Sequence, residues 1–244
     1  MLGTLMRAGD VLDLFTVEEP EWGVTATARR LGIGKSLAHE ALATLAEIGL
    51  LRRVGHGRYR LGWRTVSLAA MLLRTNALSS HARSVVRDLA ESHGVGVSLV
   101  AWERGQVICI NRHEGRGAGA PNGMAAGSTM PPDDSAAARV LLASRPAAEI
   151  EGLWSAGSVR TRHQSLEALR SDLAEVAHIG WALDNPAGVA RLSVAAPVRD
   201  IDGGVAAAIS LAAQGVGNGL DAYRHARLAV AAAARISEAM RAAA

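Results

Sequence analysis

The sequence predicts an α+β protein of two parts, in which a small helical unit ending in a hairpin precedes a larger mixed domain. Apolar residues recur at helical spacing up to about residue 48, whereas strand-like runs alternate with helices after about residue 95. At 244 residues the chain can bury one large or two small cores. Its 49% hydrophobic and 20% charged content is typical of a folded protein rather than a disordered one.

Three helices are predicted in the first part, at residues 1–16, 25–31 and 34–48. We expect Thr25 to cap the second helix and Gly32 to close it. The third helix has an apolar stripe at the i, i+3, i+4, i+7 spacing of a helix packed on a core. This stripe consists of Ala38, Ala41, Leu42, Leu45 and Ile48.

A basic hairpin follows the third helix. Two short segments flank Gly55-His56-Gly57, and their arms carry Arg52, Arg53, Arg58 and Arg60. Three helices followed by such a hairpin make a winged helix-turn-helix. The stretch 24–62 holds seven basic residues against two acidic ones, although the whole chain has a net charge of only +3. The positive charge is therefore concentrated in this unit, as expected of a nucleic-acid-binding surface.

The Gly34-Lys35-Ser36 triplet has a second interpretation, as part of a phosphate-binding P-loop. That loop needs another glycine five residues before the one that precedes the lysine, and this position is Arg29. The residues before the triplet also read as a helix rather than as a buried strand. We therefore exclude the P-loop.

A helix presented by a turn can lie in the major groove with its first residues at the base edges. We expect Lys35 and Ser36 to meet backbone phosphate, aided by the positive helix end, and Leu37 to contact a thymine methyl. The wing arginines would contact phosphates or enter the minor groove. A protein-binding module with a merely solvated helix face is the alternative. The candidate DNA-binding residues are Thr25, Lys35, Ser36, Leu37, His39, Glu40, Thr44, Arg52, Arg53 and Arg58.

After the hairpin, an amphipathic helix is predicted at 63–78, with a stripe of Val66, Ala69, Ala70 and Leu73 that suits a linker and dimer contact. Another helix is predicted at about 80–92. In the second domain we expect a mainly antiparallel sheet with helices on its faces. The glycine-rich stretch 115–123 is interpreted as a mobile loop, and 215–219 as a false dinucleotide-binding match. The predicted strands are 95–102, 106–112, 181–184, 190–198 and 205–211, and the helices 133–143, 147–154, 165–178 and 220–243.

The stretch TATARRLGIGKSLAHEALATLAEIGLLRRVGHGRYRLG (25–62) resembles the DNA-binding segment of the IclR family of bacterial transcriptional regulators. Residues 127–143 and 180–213 resemble the effector-binding half of that family. The resemblance implies a winged helix-turn-helix at 1–62, a linker helix at 63–78 and a GAF-like effector-binding and oligomerisation domain at 79–244. It also implies a cytoplasmic regulator, a repressor or an activator, that binds double-stranded operator DNA as a homodimer or tetramer.

The same resemblance implies an effector pocket for an organic acid, an amino acid or a related metabolite. Its lining would be Met130, Ala136, Ala137, Asp184, Ser193 and Ser210. The chain departs from the family pattern at Thr27, where leucine is usual, and at Glu40, where arginine is usual. Asp133 and Asp134 lie at the predicted helix start of the pocket. Either they cap that helix and face solvent, or their charge disfavours a simple carboxylate and selects a zwitterion, an amine or a neutral molecule.

The sequence suggests no catalytic residue, metal site or cofactor. A single cysteine, Cys109, excludes an intramolecular disulfide and reads as a buried strand residue. No signal peptide or apolar run of membrane-spanning length is present, so we expect no membrane association. Two rivals remain: an enzyme or binding protein with a vestigial helix-turn-helix, and a regulator whose second domain binds no effector.

Overall fold

The computed structural model describes residues 3–116, 125–185, 191–214 and 219–243. These form two compact units, Met1–Thr75 and Asn76–Ala244. Residues 117–124, 186–190 and 215–218 lie outside the described residues, and with them lies most of the predicted glycine-rich loop 115–123 and of the stretch 215–219.

The first unit is a winged helix-turn-helix, as predicted. A three-stranded antiparallel sheet in the order β1-β3-β2 closes it, and its first strand, Trp22–Gly23, was missed by the sequence analysis. Leu42 and Leu45 pack on Leu51 and Tyr59 of the wing to form the core, together with Val11. The elements are α1 Gly3–Leu12, β1 Trp22–Gly23, α2 Val24–Leu31, α3 Lys35–Glu47, β2 Leu51–Val54, β3 Arg58–Leu61 and α4 Arg64–Thr75.

Both ends of α2 and the start of α3 are set by glycines rather than by side-chain caps. Helix α2 begins after Gly23, which provides no side-chain hydrogen bond, and Thr25 lies inside the first turn, so the predicted Thr25 cap is wrong. Gly32 closes α2 in the left-handed conformation (φ 65°), as predicted, because a residue without Cβ adopts it at no steric cost. Helix α1 ends at Leu12, four residues before the predicted end.

The predicted linker helix is interrupted. Helix α4 stops at Thr75, and Asn76 caps the next helix, its Oδ1 accepting a 3.1 Å hydrogen bond from Ser79 N–H. Leu78 therefore belongs to α5, Ala77–His93, and not to the linker. None of the residues of α4 is buried, and of its predicted stripe only Leu73 is half-buried.

The second unit has a six-stranded sheet in the order β6-β5-β4-β9-β8-β7, in which every neighbouring pair is antiparallel. The edge strand β6 was not predicted. The strands are β4 Gly96–Glu103, β5 Gln106–Glu114, β6 Thr129–Met130, β7 Ala182–Asp184, β8 Arg191–Arg199 and β9 Val205–Gln214. The remaining helices are α6 Ala136–Leu142, α7 Ala147–Ser155, α8 Leu166–Ile179 and α9 Gly219–Ala242.

The two faces of this sheet are covered differently. Helices α5 and α9 pack on one face, where alternate residues such as Val97, Leu99 and Ile209 form the larger core. The short helix α6 covers part of the opposite face, together with Val100, Cys109 and other residues of the alternate phase. This second face, only partly filled with apolar side chains, carries the candidate ligand site.

Candidate functional site

Helix α3 presents an exposed polar face that begins at an uncapped N-terminus. Its N-cap residue, Gly34, has an extended backbone (φ −65°, ψ 147°) and offers no side-chain acceptor to the first turn. The backbone N–H groups of that turn are therefore available to an anion, and the helix dipole favours negative charge there. The exposed candidate side chains of this helix are Lys35, Ser36, His39, Glu40 and Thr44.

Two further candidates lie differently from what the sequence suggested. Leu37 is half-buried, so only part of its side chain is open to the thymine methyl that we expected it to contact. Thr25 is exposed in the first turn of α2 and caps nothing.

The wing separates its arginines onto two faces. Strands β2 and β3 pair Arg52 with Arg60 and Val54 with Arg58, which places Arg52, Arg58 and Arg60 on the outer face. Arg53 pairs with the buried Tyr59 on the inner face, and its guanidinium lies 5.8 Å from the centroid of that ring. The structure thus brings three of the basic side chains together and sets Arg53 apart.

An acidic residue faces the outer arginines. Glu21, in the segment leading into β1, accepts a 2.7 Å hydrogen bond from Arg60 Nε, and its other oxygen lies 3.7 Å from Arg58 Nη1. Arg52 forms no ion pair with a described residue and is exposed. Of the three outer arginines, Arg52 is thus the one whose charge is open to a phosphate without breaking an internal pair.

In the second unit, the start of α6 is organised by Asp133, Asp134 and Ser135. Ser135 is the N-cap, with its Oγ accepting from Ala138 N–H at 3.4 Å. Asp133 accepts a 3.0 Å bond from Ser135 N–H, and Asp134 accepts 2.7 Å bonds from the Thr161 hydroxyl and Arg162 N–H. Asp134 therefore anchors the segment before α8 to α6, and neither aspartate is simply a solvent-facing cap.

Polar residues form two neighbouring rows across the face of the sheet that α6 partly covers. The strand pairing places Arg112, Ser98 and Ser210 in one row. It places Glu114, Gly96, Ala212, Ser193 and Asp184 in the next. The hydroxyls of Ser193 and Ser210 lie 3.2 Å apart, joining the rows.

The predicted effector residues are distributed around this face. Ala136 and Ala137 are buried at the start of α6, and Asp184 is buried on the edge strand opposite Ser193. Met130 is half-buried on the other edge strand, β6, where it packs against the apolar cluster formed by α6, Val100 and Cys109. Ala212 lies beside Ser193 and offers no hydroxyl.

Arg112, Ser98 and Glu114 were missed by the sequence analysis. For Arg112 and Glu114 the reason is a β-bulge in β5. The register shifts between Leu99 and Val100, so that Cys109 and Arg112, three residues apart, face the same side. Strict alternation would have put Arg112 on the opposite face. Burial raises the pKa of the neighbouring Cys109 thiol, which makes it a poor nucleophile.

A buried ion pair holds α6 against α8. The guanidinium of Arg139 makes two hydrogen bonds to the Asp172 carboxylate, and its Nη1 donates to Leu183 O at 2.8 Å, next to Asp184. His163 Nε2 lies 3.5 Å from Asp172 Oδ2. Through this pair the position of α6 is tied to the strand that carries Asp184.

Across the ranges that the structure describes, no three histidine, cysteine or acidic side chains come together in a group that could hold a metal. Within the same ranges, no helix has both the length and the apolar character needed to span a bilayer.

Comparison with known proteins identifies both units. The family model of the IclR helix-turn-helix domain matches residues 4–55, and that of the bacterial transcriptional regulator IclR C-terminal matches residues 70–238. The chain is 29% identical over 219 residues to the HTH-type transcriptional regulator XynR of Escherichia coli, covering 86% of each chain. It is 31% identical to the glycerol operon regulatory protein of Streptomyces griseus, over 81% of this chain and 79% of that one.

Solved structures share the fold. A protein described as an IclR transcriptional regulator from Silicibacter sp. TM1040 superposes with a TM-score of 0.85 at 23% identity, covering 98% of this chain and 96% of that one. An IclR homologue from Microbacterium hydrocarbonoxydans, complexed with 4-hydroxybenzoate, has a TM-score of 0.73 at 24% identity, covering 98% and 99%. The chain therefore belongs to the IclR family, and it is a ligand-responsive, DNA-binding transcriptional regulator.

Proposed function

We propose that this regulator binds its operator as a homodimer, or as a tetramer built from such dimers, with α3 in the major groove and the wing on the flanking backbone. The observation that carries this proposal is the exposed face of α3, which starts at an uncapped helix end and bears Lys35 and Ser36. Such an end suits a DNA phosphate, and it fixes the register from which His39, Glu40 and Thr44 reach base edges. Glu40 would accept a hydrogen bond from a cytosine amino group.

The helix α4 supports the homodimer. Trp63, just before it, is 76% exposed, and Met71 and Leu72 within it are 62% and 61% exposed. Leu5 of α1 is exposed as well. Large apolar side chains that are this exposed, within the part of the chain that the structure describes, indicate an interaction surface. An operator with two half-sites requires two recognition helices, so the partner is a second copy of the chain. One recognition helix offers few base contacts, and two restore specificity.

The dimer proposal is tested by Met71→Glu. We expect this variant to sediment as a monomer at micromolar concentration and to bind a two-half-site operator roughly 100-fold more weakly, because the second half-site no longer adds its contacts. Ala174→Glu, which adds the same charge on the exposed surface of α8, is the control. A Met71→Glu protein with unchanged sedimentation would refute α4 as the dimer contact.

For regulation we propose repression that is relieved by a small effector in the second unit. A dimer across two half-sites one helical turn apart, about 34 Å, excludes polymerase from a promoter it overlaps. The proposed effector residues are Met130, Ala136, Ala137, Asp184, Ser193 and Ser210. Their support is the partly covered sheet face with its paired hydroxyls, at 3.2 Å, beside a helix start. The complex of the Microbacterium homologue with 4-hydroxybenzoate makes aromatic hydroxy acids the first compounds to try.

The proposed function is tested by measuring binding to the DNA upstream of the chain's own gene. Binding is measured by fluorescence anisotropy at several salt concentrations. We expect salt-dependent binding that Arg52→Ala weakens several-fold, with a salt slope reduced by about 0.9 for the lost phosphate contact. Arg170→Ala removes an exposed arginine of α8 and is the control. A wild-type protein that ignores this DNA at low salt would favour the rival, a small-molecule-binding protein with a vestigial helix-turn-helix. Operator binding that no metabolite alters would favour a regulator without an effector.

A further inference from the structure

We propose that Arg112 is the anion-binding residue of the effector site, and that the effector is an acid with a hydrogen-bond donor, a hydroxyl or an ammonium group, at its other end. This inference rests on the proposed location of the effector site on the sheet face beside α6. It adds a basic residue to a site whose proposed lining has none, and it specifies the chemical class of the ligand.

The guanidinium of Arg112 is held in place and largely removed from solvent. Its side chain is 14% exposed. Nε donates to Glu114 Oε1 at 2.6 Å, Nη2 donates to the same oxygen, and Nη1 donates to Ser98 Oγ at 3.1 Å. The group therefore lies flat along the sheet toward β4, with its position fixed before any ligand arrives.

The local sequence makes room for this arrangement. A Cβ on Gly96 would come within 2.6 Å of Glu114 Oε2, so a larger residue there would displace the Glu114 carboxylate from its present position over β4. Glu114 thereby occupies the side of the guanidinium that carries Nε. An arginine has five N–H donors, of which three are used here, and the remaining two make no hydrogen bond to a described residue. These two donors on a fixed, desolvated cation suit a carboxylate.

The other end of the site has the opposite character. Ser210 lies one strand beyond Ser98, and Ser193 lies one strand further, directly opposite the buried Asp184. With strands about 4.8 Å apart, a group bound at Arg112 and Ser98 is about 5 to 10 Å from these hydroxyls. A carboxylate and a donor separated by a short chain or an aromatic ring span that distance. The oxygens of these two serine hydroxyls accept a hydrogen bond from a hydroxyl or an ammonium group of the ligand.

The charges of the site agree with a ligand of this kind. Glu114 neutralises Arg112 in the absence of ligand, so the cation is not left buried and unpaired. A simple monocarboxylate gains the Arg112 contact but leaves the Ser193–Ser210 pair without a new partner. An acid that also carries a donor uses both ends, and we therefore expect hydroxy and amino acids to bind more tightly than the unsubstituted acids.

Calorimetry and operator release with matched compounds test this proposal. The panel consists of 4-hydroxybenzoate, 4-aminobenzoate and 4-aminobutyrate, each beside its primary amide, with benzoate and butyrate as acids that lack the donor. We expect at least one substituted acid to bind the wild-type dimer, and its amide and its unsubstituted acid to bind roughly 30-fold more weakly. Arg112→Gln should remove the preference for the acid over the amide.

Because Arg112→Gln leaves Glu114 without its partner, the double variant R112Q/E114Q is measured beside it. It removes both charges and keeps the side-chain volumes, and we expect it to fold and to bind the amide as tightly as the wild type does. Equal binding of the acid by the wild type and by the double variant would overturn the role of Arg112. A wild-type protein that binds only amides, only unsubstituted acids or no member of the panel would also overturn the proposal. Failure of the wild type to bind operator would instead count against the proposed function.

Discussion

Glu21 and Arg60 form a charge-assisted pair between the segment before β1 and the outer face of the wing. Arg60 Nε donates to Glu21 Oε1 at 2.7 Å, and Arg60 Nη2 lies 2.5 Å from the same oxygen. Both side chains are partly exposed, at 44% and 27%. Such a pair contributes only about 0 to 1 kcal/mol to stability, but its carboxylate competes with DNA phosphate for Arg60 and, more loosely, for Arg58.

Glu21→Gln is therefore expected to strengthen binding to any duplex, because two wing arginines lose their internal counter-charge. The expected gain is roughly 2- to 5-fold at low salt, with a steeper salt dependence as more counterions are released. Anisotropy titrations with operator and with unrelated DNA measure both quantities. Glu18→Gln makes the same charge change nearby, at an exposed residue without an ion pair to any described residue, and should have a smaller effect. Equal gains for the two variants would mean that the pair itself is irrelevant and only net charge matters.

Thr27→Val is expected to stabilise the first unit. Thr27 is fully buried in α2, and its Oγ1 has no hydrogen-bond partner among the described residues. Valine has the same shape and lacks the unsatisfied hydroxyl, so the free energy of unfolding should rise by about 1 kcal/mol. Scanning calorimetry of the full chain would show this as a higher transition temperature. Thr25→Val, at an exposed position of the same helix, should change it by less than about 0.5 kcal/mol. A destabilised Thr27→Val protein would point to a partner for the hydroxyl beyond the described residues.

Asp172→Asn is expected to destabilise the second unit strongly. The side chains of Arg139 and Asp172 are 10% and 16% exposed, so removal of the carboxylate leaves a buried guanidinium without its counter-charge. Breaking such a pair costs about 3 kcal/mol. Urea denaturation would report it as a lower midpoint with an unchanged slope. Asp88→Asn, whose partner Arg87 is exposed, should cost less than about 0.5 kcal/mol. Similar urea midpoints for the two variants would show that the buried pair contributes no more to the free energy of unfolding than the exposed pair does.

The thiol of Cys109 is expected to lower the stability of the protein at alkaline pH. Burial raises the pKa of its thiol, so the folded chain keeps the thiol proton at a pH where the unfolded chain has lost it. The unfolded state then binds fewer protons, and stability falls as the pH rises above the unfolded thiol pKa of about 8.5. Urea midpoints between pH 7 and 10 should drop more for the wild type than for Cys109→Ala, which has no proton to lose. Parallel pH profiles for the two proteins would contradict this. In the folded state we also expect slow alkylation by iodoacetamide at pH 8.

Most elements of the fold could be read from the sequence because their signals are local. The recognition helix, the wing and all ten longer segments of the second domain lie within a few residues of their predicted limits, since apolar spacing and glycine positions determine them. The two-residue strands Trp22–Gly23 and Thr129–Met130 were not predicted, because so short a strand has no periodicity and exists only through its partner. Helix α4 ended early at the Asn76 cap, a signal that was present in the sequence and overlooked.

The general architecture of the protein could be predicted from its sequence alone. It consists of a basic helix pair with an arginine hairpin, followed by an antiparallel sheet domain with motifs of the IclR family. Which charged side chains are available to a ligand or to DNA became visible only in the tertiary structure. The bulge in β5 turns Arg112 onto the ligand face, and Glu21 reaches across 39 positions to Arg60. The physical reason is that a charge acts through its neighbours in space, and those neighbours come from strand register and chain crossings that local patterns do not encode.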